Sequence, residues 1–241
     1  MRRAILVLAV AAILTVSATL PAAAQNWMIQ LRYYSTDGQW KNGGFQPTFD
    51  SNLFGLTLRT NFGGGAWSVS LNYDTGNVTN YSAGSLGGDA YNRFWNVNLH
   101  RNFTAGNTAL SAYVGVGGAR WQSVSGGVFI PYDVRQTGIR LGADAKIKFA
   151  GSWYVMADVG FMPSQSAHHT QWTTPVVNQS VNASLLDYRI ALGYEFANHL
   201  GLEAGYRGIN WTFSPTPMCL GASPCEFRWT GWYLGVNYTT P

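Results

Sequence analysis

Charge is scarce in this sequence. Asp, Glu, Lys and Arg together make up 11% of its 241 residues, against about 25% in ordinary soluble proteins. There is no basic run and no clustered Lys/Arg stripe, which excludes a nucleic-acid binder despite the formal net charge of +4. Cysteine is nearly absent too, with only Cys219 and Cys225, which flank LGASP. No CxxC and no neighbouring His accompany them, so a metal or redox centre is not indicated. In an exported chain the simplest expectation is a disulfide closing a small surface loop. Also missing are G-x-S-x-G, HExxH, a P-loop and a dinucleotide fingerprint, so no catalytic residue, metal site or cofactor is assigned.

Long hydrophobic runs are lacking with one exception. From Ala4 to about Val16 the chain is apolar, short of the ~20 residues that a spanning helix needs. Arg2 and Arg3 precede this run, and Ala22-Ala23-Ala24 follows it. That order is the pattern of a secretory signal peptide over residues 1–24, which leaves 25–241 as one folded domain.

Aromatics and glycine are plentiful, with 10 Trp, 13 Tyr, 12 Phe and 28 Gly. They fall into a repeating order. In WSVSLNYD, Trp67, Val69, Leu71 and Tyr73 alternate with Ser68, Ser70, Asn72 and Asp74. In DYRIALGYEF, Tyr188, Ile190, Leu192, Tyr194 and Phe196 alternate with Asp187, Arg189, Ala191, Gly193 and Glu195. A period of two is that of a β-strand, and ten such segments run from WMIQLRYY to TGWYLGVNY. Between them, tight Gly/Asn turns such as FGGGA and TAGNT alternate with longer connections near 36–50, 75–91, 121–134, 162–184 and 212–226.

Ten antiparallel strands could form a soluble sandwich or barrel with the apolar face inside, or a membrane barrel with that face outside. Segment length, even strand number and alternating turn length favour the membrane barrel. So do the aromatics at strand ends: Tyr73, Tyr188 and Tyr206 at the loop end, Trp67, Trp153, Phe196 and Tyr238 at the turn end. With these residues the chain resembles the outer-membrane β-barrel proteins of Gram-negative bacteria over 25–241. The last segment, with Trp232, Leu234, Val236 and Tyr238, is similar to their aromatic-ended final strand, although Thr239-Thr240-Pro241 trail beyond it. The resemblance implies a closed up-and-down barrel in the cell outer membrane. Its implied partners are the lipid bilayer with its lipopolysaccharide and, during biogenesis, the outer-membrane assembly machinery.

On this parity the lumen receives a cluster of Arg140, Asp144, Asp158, Asp187, Arg189 and Arg207. A barrel of this size is little wider than the ~8-strand kind that side chains fill. The cluster is therefore either a structural network of paired charges or the constriction of a narrow, porin-like path for small solutes. Interior glycines, Gly142 and Gly160 among them, either leave room for such a path or seat bulky neighbours. His168-His169 falls in the longest connection, where a solvated pair is favoured over a metal site. The architecture is also similar to that of the omptin surface proteases. Asp74, Asp133, Asp187 and His168 or His169 are the parts from which an enzyme at the outer rim, protease or lipid-modifying, could be made. The reading favoured is non-enzymatic: a surface-exposed barrel or narrow pore that meets small solutes or a surface ligand.

Overall fold

In the computed structural model, residues 26–41, 46–79, 90–123, 132–171, 176–214 and 224–240 are described; residues 1–24 lie outside them. The ten strands are β1 (Trp27–Lys41), β2 (Thr48–Phe62), β3 (Trp67–Thr79), β4 (Ala90–Ala105), β5 (Thr108–Ser123), β6 (Tyr132–Lys148), β7 (Trp153–Gln171), β8 (Val177–Glu195), β9 (Leu200–Phe213) and β10 (Cys225–Thr239). Each pairs with the next in antiparallel sense, and β10 returns to β1, closing the barrel. At the junction the Trp27 N–H donates to Thr240 Oγ1, and the Thr240 N–H donates to Trp27 O, both at 2.8 Å. The trailing Thr240 thus helps to latch the closure.

The wall inverts the usual soluble order. Trp232 is 71% exposed, Leu234 66% and Phe54 64%, whereas Ser68, Ser70, Asn98 and Arg207 are buried. Over the middle and the short-turn end of the strands, apolar residues face away from the barrel, and polar residues at the alternate positions face its axis. At the short-turn end, Gly106 takes a positive φ of 57° at the first position of the two-residue link between β4 and β5. That conformation matches the twist of a tight hairpin and is strained for a side chain with a Cβ.

The strands extend well past the length expected from sequence. β7 and β8 have 19 residues each, where about 9–11 cross a membrane. Most of the connections expected near 36–50 and 162–184 are therefore strand, and His168-His169 stand on β7, not in a loop. The reason is visible along β7. Pro163 cannot donate to the ladder and sits where the register shifts between Met162 and Gln165, a position that accommodates proline. Beyond that bulge pairing resumes with the opposite parity, placing Ala167 and His169 inside and His168 outside.

The same bulge would leave β6 with open backbone groups at Ile139. The Gln165 carboxamide closes the gap: the Ile139 N–H donates to Oε1 at 2.8 Å, and Nε2 donates to Ile139 O at 2.9 Å. In hydrocarbon each open peptide group would cost several kcal/mol. The side chain lies over Gly138, where a Cβ would collide with it.

With Tyr188 and Phe196 at the two interfaces, the outward-facing Leu192 lies at the middle of the lipid-facing band. Leu192→Lys should destabilise the refolded protein by about 2–4 kcal/mol in a urea titration in lipid. A neutral or stabilising effect would instead make the outer face a watered one.

Candidate functional site

Charged and polar side chains occupy many of the inward positions of the wall at mid-height, and closure points them at one axis. At mid-height they meet. Arg207 on β9 donates from Nε to Asp187 Oδ1 at 3.0 Å, from Nη2 to Asp187 Oδ2 at 3.2 Å and from Nη1 to Asp74 Oδ2 at 2.9 Å. Asp74 belongs to β3, four strands away around a ring of ten, so this guanidinium bridges the lumen. Its ring neighbours are Tyr34, 4.9 Å from the guanidinium carbon to the centroid, and Phe94, 5.9 Å. Arg32 reaches the other Asp74 oxygen at 3.5 Å, and Arg140 reaches Asp187 at 3.4 Å.

The chain of contacts continues through Tyr113. Arg140 Nη2 donates to its hydroxyl at 3.2 Å, and the hydroxyl donates to Asp158 Oδ1 at 3.0 Å. Arg189 then closes on Asp158 at 3.4 Å. The guanidinium of Arg140 lies over Gly160 and the phenol of Tyr113 over Gly142, where a Cβ would collide with each. These glycines seat bulky side chains and do not leave an open path.

Five residues of the expected cluster, Arg140, Asp158, Asp187, Arg189 and Arg207, therefore come together in this layer. Asp144 does not join them. It faces Arg59 at 3.2 Å, His100 at 3.1 Å and the Ser111 hydroxyl at 2.8 Å, nearer the turn end. There Lys148 pairs with Glu195 at 2.6 Å, and Lys146 contacts the same carboxylate. Tyr34, Tyr113, Asp74 and Arg32 complete the mid-height layer and were not grouped with it from sequence. Their shared inward parity was the available signal, but which residues meet across the axis depends on strand stagger.

Above this layer, at the loop end, the lumen is filled by rings. Trp40, Phe49, Phe94, Trp121, Trp211, Phe213, Phe227 and Trp229 converge from β1, β2, β4, β5, β9 and β10. Trp121 meets Phe227 edge-on with centroids 4.0 Å apart, and Trp40 stacks on Phe227 at 5.5 Å. The Trp211 indole N–H donates to Gln136 Oε1 at 2.7 Å, so a buried polar tip is paired. Below the charged layer lies open space. A cavity of about 410 Å³ is lined by Arg140, Asp187 and Arg207 at one extreme and by Asn26, Asn61 and Thr239 at the turn end.

The rim-enzyme parts are not assembled. Asp74 and Asp187 are held by Arg207 beneath the rings. Asp133 pairs with Arg120 at 2.7 Å on the outer wall. His168 faces outward and His169 inward. Among the described residues no group of three His, Cys, Asp or Glu is placed to hold a metal ion. Cys225 opens β10 and is buried; Cys219, its expected partner, lies outside the described residues.

No protein-family model and no curated protein matches the chain. Among solved structures it is similar to the outer membrane protease OmpT from Escherichia coli, with a TM-score of 0.62 and 11% identity over 90% of this chain and 97% of that one. The chain has the fold of a Gram-negative outer-membrane β-barrel. Lower scores relate this barrel to the translocator domain of the autotransporter NalP from Neisseria meningitidis (TM-score 0.45, 11% identity, 93% of this chain and 91% of that one). They also relate it to Ail, the attachment invasion locus protein of Yersinia pestis (0.40, 12%, 90% and 99%). At such identities the likeness concerns the fold alone, and the barrel's chemistry has to be read from its own side chains.

Breaking the bridging guanidinium leaves two buried carboxylates without their main partner. Arg207→Ala should cost about 3–5 kcal/mol in urea unfolding of the refolded barrel. Lys148→Ala, at a half-exposed pair, should change stability by no more than about 1 kcal/mol. Equal effects from the two would contradict a closed, desolvated layer.

Proposed function

We propose that this chain is a non-enzymatic, surface-exposed barrel of the outer membrane whose lumen is shut, so that it acts through its loop end and not as a conduit. The observation carrying this reading is the double closure of the lumen. A charged layer linked from Arg32 through Arg207 and Arg140 to Arg189 lies beneath packed rings from six strands. A narrow pore needs a continuous wet path. Here the arginines are held by carboxylates, and the space above them is occupied by indole and phenyl groups.

By the orientation usual for single-chain barrels, the short turns and both termini face the periplasm, and the longer connections face outside. Export by the signal peptide at residues 1–24 and insertion by the assembly machinery belong to the same reading. A non-enzymatic role is supported by Asp74 and Asp187 being held by Arg207 beneath the rings, apart from Asp133, His168 and His169 at the loop end. The cavity below the charged layer favours one second reading, a blind polar pocket that takes small solutes from the turn end.

Single-channel recording of the refolded protein in a planar bilayer tests the closure. The expected result is no steady conductance above the lipid baseline, from a protein shown to be folded by its resistance to unfolding in the gel sample buffer. A steady, ion-selective conductance altered by Arg140→Ala would make the charged layer a constriction and restore the solute channel.

A further inference from the structure

The outer wall carries a feature that neither the lumen nor the lipid band uses. Arg93 on β4, Arg120 on β5 and Arg135 on β6 are direct cross-strand partners, Arg93 with Arg120 and Arg120 with Arg135. His168 on β7 continues the row opposite Arg135. All four side chains point away from the lumen. Like charges directly opposite one another on a sheet are destabilising. Only Arg120 is neutralised: it donates from Nε to Asp133 Oδ1 at 2.8 Å and from Nη2 to Oδ2 at 2.7 Å. Among the described residues neither Arg93 nor Arg135 has an ion-pair partner. Two guanidiniums thus flank a bonded pair, with backbones about 10 Å apart at the usual strand spacing.

The height of the row matters as much as its charge. On β5 the outward residues run Leu110, Ala112, Val114, Val116, Gly118 and then Arg120. At the tilt usual for such barrels, the ten residues from Leu110 to Arg120 rise about 25 Å, the height of the apolar band. On β4 the residue one step below Arg93 is Trp95, and its indole lies over Gly118, where a Cβ would collide with it. The arginines therefore stand where hydrocarbon gives way to headgroups, above the indole that covers Gly118. The opposite flank has the other sign, with Asp37 on β1 directly paired with Asp50 on β2 and both facing out.

We propose that Arg93, Arg120 and Arg135 form a docking site for the phosphorylated headgroup of a glycolipid in the leaflet surrounding the loop end, with Trp95 against its upper acyl carbons. Guanidinium is the side chain best suited to phosphate, through paired N–H donors and weak hydration. A phosphate between Arg93 and Arg135 would relieve the repulsion that the row otherwise carries. The site rests on the orientation given above, which places the loop end in the outer leaflet.

The test uses the full chain in neutral detergent, with diphosphorylated lipid A as probe and native mass spectrometry as readout. Retention of the lipid that falls at least about tenfold in Arg93→Gln/Arg135→Gln and weakens with added salt is the expected result. Lys148→Gln, within the lumen, should leave retention unchanged. Equal retention by the double variant, or of lipid A stripped of its phosphates, would overturn the site. Equal retention of phosphatidylglycerol would overturn the assignment to a glycolipid. Orientation is read separately by labelling Val176→Cys with an impermeant thiol reagent on intact cells, against the unsubstituted protein. Labelling is expected; its absence while lipid binding persists would refute the outer-leaflet placement and leave the arginine site standing.

Discussion

Everything in this molecule depends on satisfying the peptide group where there is no water to do it. A strand crossing hydrocarbon must place every N–H and C=O against a neighbour, and only a sheet that closes on itself leaves no edge. The junction of β1 with β10 supplies that closure. Where the ladder falters, at the Pro163 bulge, the Gln165 carboxamide takes the missing place. Once the ring is shut, the period of two leaves little freedom: successive residues face the outside and the axis in turn. The inverted wall and the crowded interior are both consequences.

The axis is then filled by two kinds of matter, stacked. Charges brought to a narrow, poorly solvated centre must be paired, and Arg207, with its fork on Asp187 and a third bond to Asp74, ties nearly opposite sides of the ring. Such a network adds little net stability compared with apolar packing, yet it is costly to break. It links side chains of β1, β3, β5, β6, β7, β8 and β9. Above it, where the strands stand clear of the apolar band, water replaces lipid outside the wall. The order of faces reverts to that of a soluble barrel, with rings inside and Asn, Thr and Arg outside.

That reversion explains what could and could not be read in the sequence. The strand parity, the ten-strand count and the inward side of Arg140, Asp158, Asp187, Arg189 and Arg207 were all legible, because alternation alone decides them. The ring plug was not. Phe94, Phe227 and Trp229 have lumen parity, but their chemistry matches the lipid face, and Trp40, Phe49, Trp121 and Phe213 lie in stretches that read as connections. The partner of Asp144 was also hidden, since Arg59 and His100 meet it through the stagger of strands far apart in sequence. The arginine row is not legible in the sequence for a simpler reason: Arg93, Arg120 and Arg135 are scattered along the chain, and only the register aligns them.

The central claim is that one alternation serves lipid at one height and a dry, ring-filled core at another. Nuclear Overhauser contacts of the indole N–H protons in detergent micelles test it directly on the unsubstituted protein. The account predicts contacts with detergent acyl chains for Trp232, Trp67 and Trp153, and contacts with neither acyl chains nor water for Trp211 and Trp229. Water contacts at Trp229 and Trp211, with the same strands still paired, would mean an open, wet lumen and would contradict the account.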